Sequence, residues 1–156
     1  MKNTLRLFIT IVICEGAGII GSIFTTSSIG TWYTGIIKPS FNPPNWIFGP
    51  VWTTLFLLMG VSLYLVWMEK FSGTNIKGAI TVFGIQLGLN VLWSVIFFGL
   101  HSPLWALVCL IVLWLTILLT MIKFYPISRL AAWLLLPYIL WVSFAGVLNF
   151  FIFRLN

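Results

Sequence analysis

Charge is the scarcest property of this chain. Its 156 residues include eight Lys or Arg and two Asp or Glu. The two acids, Glu15 and Glu69, lie far apart in sequence, so there is no carboxylate pair for acid–base work or for a hard divalent cation. There is one histidine, His101, and nothing to complete a zinc or haem site with it. The two cysteines, Cys14 and Cys109, sit inside apolar segments and match no metal or disulfide spacing. No CxxCH and no nucleophile–base arrangement occurs. These absences argue against a conventional hydrolase or metalloenzyme, and no covalently bound cofactor is expected.

What is present is apolar. The chain is 61% hydrophobic and 17% aromatic, with a mean hydropathy of +1.13. Runs of about 20 apolar residues are the length a helix needs to cross a ~30 Å hydrocarbon core. Five such runs can be drawn, at residues 5–26, 44–68, 76–98, 103–122 and 129–153, and a long loop at 27–43 joins the first two. The expected fold is all-α, one five-helix transmembrane bundle over residues 1–156. Lys2 and Arg6 before an apolar run also fit a signal peptide, but the run continues past Glu15 to Phe24, longer than such a region needs. The formal charge of +6 is scattered one or two residues per loop, which sets membrane orientation and offers no nucleic-acid patch. Lys2, Arg6, Lys70, Lys77, Lys123 and Arg129 fall on one side, and Lys38 and Arg154 on the other. That asymmetry predicts a multi-pass protein of the cell membrane with a cytoplasmic N-terminus and an external C-terminus.

The stretch from Lys38 to Gly60, KPSFNPPNWIFGPVWTTLFLLMG, holds four of the seven prolines. Pro39, Pro43 and Pro44 fix their own φ and keep their neighbours extended, so the loop reads as stiff. Pro44 suits the first turn of the next helix, and Pro50 should bend that helix. A rigid loop above an aromatic helix end is what a site for a flat apolar ligand requires.

Two later helices carry stripes that fit the same site. At about 100° per residue, Gln86, Asn90, Trp93 and Phe97 share one face, and Gly84 and Gly88 form a GxxxG pair on the opposite one. The glycine pair suits a close helix contact, either with a neighbour in the bundle or with a second copy in a homodimer. Tyr138, Trp141, Ala145 and Leu148 or Asn149 make the second stripe. Counted at ~1.5 Å per residue, Trp52, Asn90, Trp93, Trp141 and Ala145 share one depth beneath the proline loop. Trp32, Trp46, Trp67, Trp105 and Trp133 sit near span ends, as interfacial belts do, whereas Trp52, Trp93, Trp114 and Trp141 are deep. Glu15 is the one charge inside a span. A carboxylate there costs roughly 2.5–3.5 kcal/mol, so it should face protein or water, with Gly18 and Ser22 following on its face. At the other helix starts, Ser102 and Ser128 are candidate caps and Pro103 a natural first-turn residue, while Pro137 predicts a kink.

At these residues the sequence resembles the TspO family, the tryptophan-rich sensory proteins and translocator proteins also called peripheral-type benzodiazepine receptors. WYTGIIKPSFNPPNWIFGPVWTTLF, QLGLNVLWSVIFFG and PYILWVSFAGVLNF follow the family pattern in order, and the match is to a bacterial member. The resemblance implies a five-helix bundle, often dimeric, that binds porphyrins such as protoporphyrin IX and isoquinoline or benzodiazepine drugs. It also implies a light- and oxygen-dependent breakdown of the porphyrin, with the tryptophan role falling on Trp52 and Trp141. Ligand contacts would fall on Tyr33, Phe56, Asn90, Trp93, Ala145 and Leu148. The sterol motif of the mitochondrial members is altered here, with Phe150 between Leu148 and Arg154 where a tyrosine belongs, so sterol binding is not expected. Two other functions use the same pocket: transport of porphyrin or another lipophile, and a non-catalytic stress sensor that signals through a partner. Five helices do not divide into two inverted halves, which counts against a transporter.

Overall fold

The computed structural model describes residues 2–156. Five helical rods run the length of the molecule, and among the described residues there is no strand. They are α1 (Lys2–Ile29), α3 (Asn45–Glu69), α4 (Lys77–Ser94), α5 (Pro103–Phe124) and the broken pair α6 (Arg129–Leu134) and α7 (Leu136–Leu155). A single helical turn, α2 (Trp32–Gly35), interrupts the first loop. With their 3₁₀ and π extensions the rods reach 22 to 28 residues, enough at ~1.5 Å per residue to cross a bilayer. Ile19 (64% exposed), Ile23 (61%) and Ile122 (59%) stand on the outside of the bundle. An apolar surface of that extent needs lipid against it. The chain is a multi-pass, all-helical membrane protein.

α1 lies between α3 and α4, and α5 between α4 and α7. The inner half is filled. Met59, Leu63 and Val66 of α3 meet Phe83 of α4 and Ile117 and Phe124 of α5 in one buried cluster. There the rings of Phe83 and Phe124 stack with centroids 5.7 Å apart. The Ser62 hydroxyl donates to the Ala131 carbonyl (2.7 Å), tying α3 to α6. Gly60 permits the closest helix approach: a Cβ on it would lie 2.7 Å from the Ile11 Cα.

Several local details depart from expectation. Pro44 caps α3 from outside, with Asn45 as the first helical residue, because its ψ of 142° is extended. Pro103 does start α5, but the Ser102 side chain makes no capping bond, whereas Ser128 Oγ accepts from the Ala131 N–H (3.3 Å). The last rod does not bend at Pro137. It breaks at Leu135, and Pro137, lacking an N–H to continue the ladder, falls in the first turn of the new helix α7. α4 ends in a π turn, Val95–Gly99, closed by Leu100 N–H donating to the Val95 carbonyl at 2.9 Å. The widened turn brings Phe97 and Phe98 side by side and buried, 4.8 Å between centroids.

The first loop, the His101 turn and the C-terminus meet at one end. Asn156 exchanges hydrogen bonds with the backbone of Ile37 (3.0 and 2.9 Å). His101 takes a left-handed φ of 52° and stacks on Trp32 at 4.5 Å. The Ser28 hydroxyl gives its only proton to the Phe98 carbonyl (2.7 Å), so His101 Nε2, 3.2 Å away, must donate to it. The lone histidine is thereby a clasp between loops.

Candidate functional site

Beneath this end lies a cavity of about 410 Å³, bounded by α1, α3, α4 and α7 and reached from above by Tyr33. All eight residues expected at a ligand site, Tyr33, Trp52, Phe56, Asn90, Trp93, Trp141, Ala145 and Leu148, line it. They arrive on different elements because each helix presents one stripe at helical spacing, and the packed inner half holds the four stripes at one depth.

Most of the polar groups here are already matched. Tyr138 is buried behind the wall; its hydroxyl donates to Gln86 Oε1 and accepts from Asn90 Nδ2, both at 2.9 Å. Trp93 Nε1 donates to Asn149 Oδ1 (3.2 Å), whose own amide donates to the Pro103 carbonyl (2.8 Å). A buried polar group left unpaired costs about 1–3 kcal/mol, so these bonds hold α4 and α7 in register. Asn90 thereby gives one amide proton to Tyr138 and keeps its Oδ1 without a partner. Trp141 Nε1 is enclosed and has no partner among the described residues, and Glu15, the Trp52 indole N–H and Asn90 Oδ1 also line the cavity without a hydrogen bond.

The aromatic faces are held edge to face or offset. Trp93 stacks on Phe97 (5.3 Å), Trp52 leans on Phe56 (5.7 Å), and Trp141 packs against Phe48 (6.1 Å) and Phe144 (5.4 Å). Phe41, from the proline loop, reaches Phe151 and Phe144 of α7, so the loop is laid down on that helix. The loop is locked internally too. Tyr33 donates to Asn42 Oδ1 (2.7 Å), and Lys38 Nζ is bonded to the carbonyls of Tyr33 and Ile36 (2.6 and 3.0 Å). Burial pushes the Tyr33 phenol up to about 12, against the Asn42 bond that lowers it, so it stays a donor at neutral pH. Lys38 has no ammonium proton aimed at the cavity; its charge is spent on the loop.

The cavity is not closed all round. Its exposed lining residues, Ile19, Ser22 and Thr26 on α1 and Asn45, Trp46, Gly49 and Thr53 on α3, belong to two helices only. The opening therefore lies sideways, between the outer halves of α1 and α3, where the bilayer would be. This α1 wall was largely missed from sequence. Glu15, Ser22 and Thr26 recur at helical spacing, and that stripe was the available signal. Asn149 was noted only as an alternative to Leu148, yet both line the cavity.

Gly84 and Gly88 do not pack inside the bundle. Both are exposed, and a Cβ on either would meet nothing within 4 Å. Trp114 stands apart as well, donating to Ser143 Oγ (2.8 Å) in an open apolar groove between α5 and α7.

The family model described as the TspO/MBR family matches residues 10–155. The chain belongs to the TspO/MBR family. It is 46% identical over 155 residues to the tryptophan-rich protein TspO of Archaeoglobus fulgidus, covering 99% of each chain. It is 41% identical over 140 residues to the human translocator protein, covering 88% of this chain and 82% of the relative. To the tryptophan-rich sensory protein of Cereibacter sphaeroides it is 37% identical over 125 residues, covering 80% of this chain and 77% of the other. In this TspO/MBR chain three of the nine tryptophans, Trp52, Trp93 and Trp141, line the cavity deep in the bundle, and Trp46 stands at its mouth.

Proposed function

We propose that this TspO/MBR protein binds a porphyrin, protoporphyrin IX or a related tetrapyrrole, in the aromatic cavity, and that light and oxygen drive breakdown of the bound ring. The reading is carried by one observation: a 410 Å³ cavity walled by Trp52, Phe56, Trp93, Phe97 and Trp141 under a locked loop. Its volume falls in the range of about 300–1,000 Å³ typical of small-molecule sites, and flat π faces suit a flat ligand. The Trp52 indole N–H, which makes no hydrogen bond and is not enclosed, supplies a donor for an acceptor on the ligand. Isoquinoline- and benzodiazepine-type molecules, smaller and also aromatic, would occupy the same walls. The protein would sit in the cell membrane with its N-terminus cytoplasmic, following the six-to-two distribution of basic residues.

Titration of purified protein with protoporphyrin in the dark, followed by Soret absorbance, tests the site. Saturable binding is expected, and Ala145→Phe, which fills the cavity from α7, should weaken it at least about tenfold while the helical circular dichroism is kept. Unchanged binding to Ala145→Phe would place the porphyrin elsewhere. The buried apolar cluster that packs the bundle below Phe56 favours binding with local chemistry over passage through the protein.

A homodimer formed through the Gly84–Gly88 face belongs to the same reading. That face is open in the single chain and small enough for two backbones to approach. Gly84→Leu is expected to convert a dimer into a monomer in multi-angle light scattering of the detergent-solubilised protein. A dimer that survives Gly84→Leu would require another interface.

A further inference from the structure

Glu15 has no structural employment. It lies at the midpoint of the 28-residue α1, roughly 20 Å from either end, and lines the cavity. It is the only acidic or basic side chain among the lining residues. It makes no hydrogen bond or ion pair with any described residue. Its carboxyl oxygens are also absent from the enclosed, unpartnered polar atoms, of which Trp141 Nε1 is the one instance, so they remain accessible. An accessible, unpartnered carboxyl at mid-membrane depth is kept only at a cost, and a ligand group that pairs with it removes that cost.

The surroundings say what that group is. The hydroxyl side chains along the sideways opening are already satisfied by their own helices. Ser22 donates to the Ile19 carbonyl (2.7 Å), Thr26 to Ser22 (2.8 Å) and Thr53 to Gly49 (3.0 Å). Asn45 and Trp46, at the start of α3, are the rim side chains without a hydrogen bond; elsewhere the rim presents Ile19, Gly49 and threonine methyl groups, so an apolar body can slide between α1 and α3 without losing hydrogen bonds. Among the cavity groups without a partner, the Trp52 indole N–H can only donate and Asn90 Oδ1 accepts without charge, whereas Glu15 accepts as a carboxylate and shares one proton with an amine in either protonation state. Lys38, the one basic residue of the loop, is engaged by backbone carbonyls and cannot neutralise it.

We infer that Glu15 is a ligand-recognition residue that gives the cavity a preference for flat aromatic molecules carrying a primary amine or comparable donor, taken up sideways from the bilayer. The inference rests on the cavity being a site for flat aromatic ligands, and it orients them with the donor end toward Glu15. A flat ligand with carboxylates alone would gain nothing from Glu15.

The test compares pyrenylmethylamine with uncharged methylpyrene, using energy transfer from the cavity tryptophans in phosphatidylcholine nanodiscs, with empty discs subtracted for partitioning. In the wild-type protein the amine should bind about tenfold more tightly, the scale of one charge-assisted hydrogen bond. In Glu15→Gln that preference should vanish while methylpyrene binds as before. Equal affinities in the wild type, or a preference kept by Glu15→Gln, overturn the inference. Loss of methylpyrene binding in Glu15→Gln would mark a structural role and overturn it too. If protoporphyrin binds and neither pyrene does, the amine inference falls and the porphyrin reading stands; if nothing binds, both fall.

Discussion

Gly60→Val is expected to yield no monodisperse folded protein, and Gly60→Ala to lose roughly 1–3 kcal/mol, the usual cost of overpacking. An added Cβ would sit 2.7 Å from the Ile11 Cα and 3.1 Å from its nitrogen, so the clash is with backbone and cannot be relieved by a rotamer change. The sign makes this a sharp test. In a helix, Gly→Ala ordinarily gains up to about 1 kcal/mol, because glycine loses the most backbone entropy on folding. Gly16, on α1 with nothing within 4 Å of its would-be Cβ, is the internal control and should follow that ordinary trend when changed to Ala. Thermal melts in detergent, read by tryptophan fluorescence, should therefore shift in opposite directions for the two alanines. A Gly60→Ala protein as stable as the wild type would mean that α1 and α3 do not cross as closely as described. The crossing matters beyond stability. α1 and α3 are pinched together at Gly60 in the inner half, and the cavity opens between the same two helices further out.

The number of helices was legible because lipid demands length and apolarity, and five runs satisfy both. The inward face of each helix was much less so. In a soluble protein burial and apolarity go together, but here Ile19 is 64% exposed and Ile117 is 0% exposed, and the two are chemically alike. Periodicity therefore spoke only where polar or aromatic residues broke the apolar background, as with Asn90 and Trp93 on α4 and Trp141 on α7. Those residues do line the cavity, and the family resemblance supplied Tyr33 and Phe56 beside them and chose Leu148 where the stripe had left Leu148 or Asn149. Features made by contacts distant in sequence stayed hidden. Nothing local marks Val95–Gly99 as a π turn, and the break at Leu135 was displaced from the proline that causes it. Glu15 was visible as an anomaly, and only the packing of α3 against α1 shows that it borders an opening.

Trp52→Phe and Trp141→Phe are each expected to leave dark binding of protoporphyrin within about threefold of wild type while cutting light-driven loss of its absorbance bands by about tenfold or more. Phenylalanine keeps most of the π surface and apolar area that hold a flat ligand, so affinity changes little. It removes the indole, the most easily oxidised of the aromatic rings in the wall. An excited porphyrin beside an indole takes one electron from it and passes that electron to dioxygen, giving superoxide. The indole radical cation then recovers an electron from the ring, and the ring radical cation combines with superoxide, so that porphyrin and dioxygen together become an oxygenated ring product while the indole is restored. Phenylalanine cannot supply that electron. The two positions are not equivalent. Trp52 packs on Phe56 and Tyr138 and keeps an accessible indole N–H without a partner, whereas the Trp141 Nε1–H is enclosed, so Trp52→Phe also deletes a donor within reach of a ligand and should show the larger change in binding of the two. Trp105 and Trp114 lie outside the cavity, and their phenylalanine variants should bleach porphyrin at the wild-type rate. Equal bleaching by all four variants, with dark binding intact, would mean that the excited ring reacts with oxygen unaided. The cavity would then serve to hold the porphyrin, and its tryptophans would be walls and not reductants.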